Sequence, residues 1–221
     1  MVQLDIEKGE HMKLGMKIVL SVSVSIILIL LSVQIISTKP YMMIHEGLYS
    51  SHDDITWDYE YAVEQTMDYL NGFEDDLVFP SYEGGDDVLM TERGILHMID
   101  VKNLYSAGRV IMSLMIVLAS VSGIYLWDKS EFYSTLKRIW IFPLVFVGSI
   151  TVVMLINFNW AFTQFHHLLF TNDLWLLSWS DPLIVMLPTG FFYSTAITIV
   201  VLIVLFHLSV IYLAYKKTPN K

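Results

Sequence analysis

At 221 residues, 55% of them hydrophobic, the chain is too apolar for an ordinary soluble domain, and its lack of cysteine excludes disulfides and thiol nucleophiles. A formal net charge of −9 argues against nucleic acid as a partner, which would require a basic patch. The chain also lacks a His-Glu-x-x-His helix, a Gly-x-Ser-x-Gly elbow and a glycine-rich phosphate loop, and no cofactor or metal is expected.

Four stretches are long enough to cross a hydrocarbon layer of roughly 30 Å, which takes about 20 apolar residues. The fold class expected is an all-α integral membrane protein with four transmembrane helices. Residues 1–13 read as a tail, in which His11-Met12 resembles a cloning junction and Met12-Lys13-Leu14 an ordinary start. The first span is expected over 14–38, around the uncharged run from Ile18 to Thr38. Its apolar core is too long for a cleavable signal, and no small-x-small site follows it.

Residues 39–108 form a loop large enough to be a small, mainly helical domain. Fifteen of the 22 acidic residues lie there, between Glu46 and Asp100, and a solvated acidic face is their simplest reading. Tyr59, Ala62, Val63, Met67 and Leu70 recur at helical spacing, with Asp58 as the expected N-cap and Asn71-Gly72 as the stop. Between Phe79 and Val88, Pro80 and Gly84-Gly85 predict turns with short extended pieces. A second helix begins at Thr91, again a plausible N-cap, with Glu92 suited to the first turn. Arg93, His97 and Asp100 are spaced to share one face of it. An aspartate one turn from a histidine is placed to fix its tautomer and leave the other ring nitrogen free to act.

The second span is expected over 109–127, a cytoplasmic loop over 128–138, the third span over 139–158, the fourth over 193–215 and a tail over 216–221. Nine of the 13 basic residues flank the spans on one side (Lys8, Lys13, Lys17, Lys129, Lys137, Arg138, Lys216, Lys217 and Lys221). The positive-inside rule makes that side cytoplasmic, with both termini inside and residues 39–108 and 159–192 outside a multi-pass plasma-membrane protein. Within residues 159–192 the only charged side chains are Asp173 and Asp181, among Trp160, Trp175, Trp179 and many Phe and Leu. So apolar a connection belongs in the headgroup layer, embedded in the phospholipid membrane. His166 and His167 put a titratable pair there. Asn172 and Asp173 read more simply as turn formers, His45 and His52 as solvated loop residues, and His207 as a hydrogen-bonding residue in helix packing. On the residues alone, an enzyme built from imidazoles and carboxylates stands beside two others. One is a membrane metallohydrolase with His97, His166, His167 and an aspartate as ligands; the other is a non-catalytic sensor or partner protein.

The order of elements resembles the lipoprotein intramolecular transacylase family of Gram-positive bacteria. The resemblance rests on the four-span layout, Leu70-Asn71 closing an outer helix, and the Glu92…His97…Asp100-Val101 helix. It also rests on the string Phe165-His166-x-Leu168-Leu169-Phe170…Asn172-Asp173-x-Trp175…Asp181-Pro182…Leu187-Pro188…Phe191-Phe192. Thr189-Gly190 stands where that family often carries an acidic residue, and His167 falls at the variable position after the Phe-His pair. The resemblance implies an acyltransferase acting on diacylglyceryl lipoproteins. It would move the sn-2 acyl chain to the α-amine of the modified cysteine and leave the lyso-form. In that reading His97, oriented by Asp100, is the base, and His166 donates to the oxyanion or to the departing oxygen, with the two roles exchangeable. Arg93, Glu92, Trp160, His167, Asn172, Asp173 and Trp175 would bind or orient the substrate.

Overall fold

A computed structural model describes residues 2–49, 58–79, 88–127 and 129–218, with side chains over 7–44, 58–77, 90–127 and 131–218. Nine helices occur among them: α1 (Val2–Ile36), α2 (Lys39–Tyr49), α3 (Tyr59–Asn71), α4 (Glu92–Tyr125), α5 (Lys129–Leu136), α6 (Ile141–Ile156), α7 (Phe158–Leu169), α8 (Pro182–Met186) and α9 (Thr189–Lys217). A two-residue antiparallel pair, β1 (Val78–Phe79) with β2 (Val88–Leu89), is the other regular element described, with Val78 opposite Leu89. The pair brackets the turn-rich stretch that Pro80 and Gly84-Gly85 predict, and those residues lie outside the described ones.

Four helical stretches are long and apolar enough to cross a membrane: Glu7–Ile36, Glu92–Tyr125, Glu131–Ile156 and Thr189–Lys217. Their apolar side chains are widely exposed, as at Val110 (69%), Ile124 (70%) and Leu155 (64%), which only a lipid solvent tolerates over such lengths. The helices contribute to two compact units. One comprises residues 1–32, 110–152 and 199–221, the other residues 33–109 and 153–198.

In the first unit, Lys13 and Lys17 both pair with Glu131, at 2.7 and 2.5 Å, and Lys137 lies over the ring of Tyr215. The buried Ser25 hydroxyl donates to the Ile139 carbonyl where the chain turns from α5 into α6. His207 is buried, with Nδ1 donating back to the Ile203 carbonyl of its own helix at 2.7 Å.

The second unit has its own core, built of Met42, Tyr59, Ala62, Val63, Met67, Leu70, Met98, Leu183, Met186 and Phe191 among others. Helix α3 carries the face that the sequence spacing predicts. Asp58 accepts from the Tyr61 N–H, and Gly72 adopts φ 85°, so its N–H turns back to the Asp68 and Tyr69 carbonyls. A side chain at position 72 would be strained, which is why the stop needs glycine. Gln34 donates to Asn71, and Arg109 donates to the Leu70 carbonyl, so the end of α3 is tied to α1 and α4.

Several segments expected to be irregular are helical. Residues 2–13 continue α1 without a break, α2 holds His45 on a helix rather than in a loop, and α5 occupies the connection after Trp127. His52 lies outside the described residues. The largest revision concerns residues 159–192, expected as one loop and found to contain α7 and α8. Asn157 caps α7 by accepting from the Trp160 N–H, and Asp181 caps α8 ahead of Pro182 at its first position.

Candidate active site

Helices α4 and α7 bring His97 and His166 together. Thr91 starts α4: its hydroxyl accepts from the Gly94 N–H at 3.0 Å and donates to Asp181 at 2.5 Å. Asp181 is 1% exposed, and its other oxygen accepts from the Leu183 N–H, so one buried carboxylate joins the starts of α4 and α8. Position 94 is glycine for a steric reason, since a Cβ there would stand 3.0 Å from an Asp181 oxygen. The sequence analysis gave Asp181 no role in the site, although the Asp181-Pro182 pair is the signal of a helix start.

One turn into α4, His97 is buried, and its ring packs edge-on against Phe170 at 5.2 Å. Its centroid lies 6.1 Å from that of His166, which is also buried. On α7, His166 sits among Phe162 (4.2 Å), Phe165 (5.5 Å), Phe170 (5.8 Å) and Trp175 (4.7 Å, tilted 30°). Phe162 in turn meets Phe192 at the start of α9. The His166 Nδ1 hydrogen donates to the Phe162 carbonyl at 2.8 Å. In the neutral ring this fixes the tautomer and leaves the Nε2 lone pair as the reactive one. Burial holds this imidazole below the ordinary histidine value, opposed by the Phe162 carbonyl and reinforced by repulsion from His167.

The expected His97–Asp100 hydrogen bond is not formed. His97 turns inward and its Nδ1 has no partner among the described residues, whereas Asp100 is half-buried and accepts from the Asn172 amide at 2.9 Å. Helical spacing made the two residues neighbours; the inward turn of the imidazole separated their polar atoms. Arg93 is exposed and donates to the Asp173 carbonyl. Asn172 also accepts from the Leu174 N–H, closing a turn of the kind foreseen for it. Arg93, Asp100, Asn172 and Asp173 thus fasten the segment after α7 to the face of α4. That segment delivers Trp175 onto His166, with its indole Nε1 buried and without a partner among the described residues. His167 is exposed and meets Trp175 edge-on at 5.3 Å. The structure leaves two of the expected residues outside this cluster: Trp160 is 55% exposed on α7, and Glu92 is exposed in the first turn of α4. Among the described residues, no three histidine, aspartate or glutamate side chains come close enough to hold a metal ion, so the proposed metal ligand set is not assembled.

Four membrane-length helices define a multi-pass membrane protein, and a buried imidazole pair marks its candidate site. The profile of one family, described as lipoprotein intramolecular transacylase Lit, matches residues 18–192, and the chain belongs to that family. It is therefore an acyltransferase of the lipoprotein intramolecular transacylase type. Solved structures of the Bacillus cereus lipoprotein intramolecular transacylase are similar at 25% identity. One aligns over 94% of this chain and 96% of that one with a TM-score of 0.76. Two others carry a histidine replaced by arginine or by alanine and align with TM-scores of 0.80 and 0.74, over 98% and 96% of this chain and 96% of each of those chains. No curated protein matches the chain.

Proposed function

We propose that His166 and His97 carry the proton movements of an intramolecular transfer in which the sn-2 acyl chain of a diacylglyceryl lipoprotein passes to the α-amine of its own cysteine. The observation that carries this assignment is the pair itself. Two buried imidazoles stand 6.1 Å apart between centroids, and one has its Nδ1 hydrogen committed to a backbone carbonyl. No nucleophile is needed from the protein, because the substrate amine is the nucleophile. With amine and ester on one molecule, positioning alone removes much of the barrier.

Of the two exchangeable assignments that the resemblance implied, the hydrogen bond from His166 to Phe162 supports the one with His166 as base. Nε2 of a neutral His166 is an acceptor, so His166 is the base that takes the proton from the attacking nitrogen. The new C–N bond forms, the carbonyl becomes a tetrahedral oxyanion, and the C–O bond to the sn-2 oxygen then breaks. His97 gives that oxygen its proton and regains one from His166, leaving an amide, a free hydroxyl and both rings as they began. Arg93, Asp100, Asn172 and Asp173 orient the site by fastening the segment that bears Trp175. His167 supports Trp175 from its edge, while Trp160 and Glu92, both exposed, meet the lipid or peptide part of the substrate.

The site belongs on the extracytoplasmic face of a plasma-membrane protein with both termini inside. The shared pairing of Lys13 and Lys17 with Glu131 supports a common side for the N-terminal residues and the connection after the second span. Residues 39–108 then form the outer domain, and residues 159–192 lie in the headgroup layer, where the exposure of Leu168 (82%) and Trp179 (84%) suits lipid contact. Mass spectrometry of the N-terminal peptide of a diacylated lipoprotein, expressed with and without this chain, tests the reaction. One acyl chain should move from glycerol to the amine at unchanged total mass. His97→Ala and His166→Ala should each abolish the shift while still inserting and folding; full transfer by either variant would remove that residue from the mechanism.

A further inference from the structure

Of the buried side-chain nitrogens without a partner among the described residues, two flank His166: His97 Nδ1 and Trp175 Nε1. The third, His207 Nε2, belongs to the other unit. The two nitrogens differ chemically. A neutral imidazole nitrogen is donor or acceptor according to tautomer, but an indole nitrogen is a donor in every state. A buried donor without an acceptor is costly, and a native site that keeps one asks for an explanation.

We infer that Trp175 is a catalytic residue whose indole N–H donates to the oxyanion formed at the sn-2 carbonyl. The inference rests on the transfer proposed above. The indole is centred 4.7 Å from the His166 ring and tilted 30° to it, so the indole stands against the base that deprotonates the attacking nitrogen, and its buried N–H has no acceptor among the described residues. The carbonyl under attack must lie within bonding distance of that nitrogen, hence next to the same indole. Nearby, the Asn172 amide donates to Asp100 and the Arg93 guanidinium to the Asp173 carbonyl. Those same bonds fix the indole, together with the Leu174 N–H to Asn172 and the His167 ring against its edge. A donor held in place before reaction contributes most where charge appears only in the transition state.

The test replaces Trp175 with β-(3-benzothienyl)alanine, which exchanges the N–H for sulfur at nearly unchanged shape, and separately with phenylalanine. Two readouts are taken: transfer kinetics on a diacylglyceryl-cysteinyl peptide, and binding of the same peptide with a phosphonate in place of the sn-2 ester. With the benzothienyl isostere, kcat should fall about 10²–10³-fold, with KM and thermal midpoint unchanged, and phosphonate affinity should fall in parallel with kcat. Wild-type kcat in the isostere overturns the assignment, as does a loss confined to KM and thermal midpoint, which would mark a packing role. If wild-type protein transfers no acyl chain yet binds the phosphonate in a manner that needs the indole N–H, the proposed reaction fails while the donor stands. Should transfer proceed at full rate in both variants, the donor fails while the reaction stands.

Discussion

Asp181 gives the sharpest check on how the site is held. Replacement by alanine removes two hydrogen bonds from a carboxylate that is 1% exposed: the Leu183 N–H at 3.0 Å and the Thr91 hydroxyl at 2.5 Å. Loss of a helix N-cap costs about 0.5–2 kcal/mol. A hydroxyl that loses a charged acceptor costs about 1–3 kcal/mol, toward the lower end here because Thr91 is exposed and finds water. Relief of the buried charge offsets part of this, so Asp181→Ala should destabilise by about 1.5–3 kcal/mol. For a chain of this length that corresponds to a fall in midpoint of about 3–12 °C. Asp181→Asn, which keeps an acceptor for the Leu183 N–H, should lose less than half as much. Thermal unfolding in detergent, followed by tryptophan fluorescence, reads both, and a double-mutant cycle with Thr91→Val should show a coupling of about 1 kcal/mol. A midpoint within about 1 °C of wild type for Asp181→Ala, or no coupling to Thr91, would refute the view that this carboxylate joins α4 to α8.

Other consequences follow from the same geometry. With His166 as the neutral base proposed above, and with burial lowering its pKa, its contribution to kcat should persist as pH falls through about 6.5 and be lost only lower. An acid limb centred above that value, once the titration of the substrate amine has been measured separately and subtracted, would contradict the assignment. Asn172→Ala, which removes the bond to Asp100 and the turn with Leu174, should lower kcat about tenfold, as expected for about 1.4 kcal/mol of lost hydrogen bonding. Asn172→Asp should lose more, by setting two carboxylates against each other, and the further change Asp100→Asn should restore activity. Failure of that rescue would show that the contact does not orient Trp175.

Features governed by chain-local physics were legible in the residues. Apolar stretches of membrane length can satisfy their backbone only as helices, so the four crossings followed from composition. Asp58, Gly72 and Thr91 bond backbone groups within a few residues, so the limits of α3 and the start of α4 could be read directly. Helix α7 was legible in principle, through Asn157 and the recurrence of Phe158, Phe162, His166 and Phe170, but its apolar surroundings masked the period. What the tertiary structure alone decided is which polar atoms meet. Asp100 stands three residues from His97 yet bonds Asn172, 72 positions away, and Arg93 reaches the carbonyl of Asp173, 80 positions away. Trp175 lies on His166 in a segment that those two bonds fasten to α4. Residue spacing sets which side chains share a face, but the direction in which an imidazole turns depends on packing from elsewhere in the chain, and here that packing left His97 Nδ1 and Trp175 Nε1 without partners among the described residues.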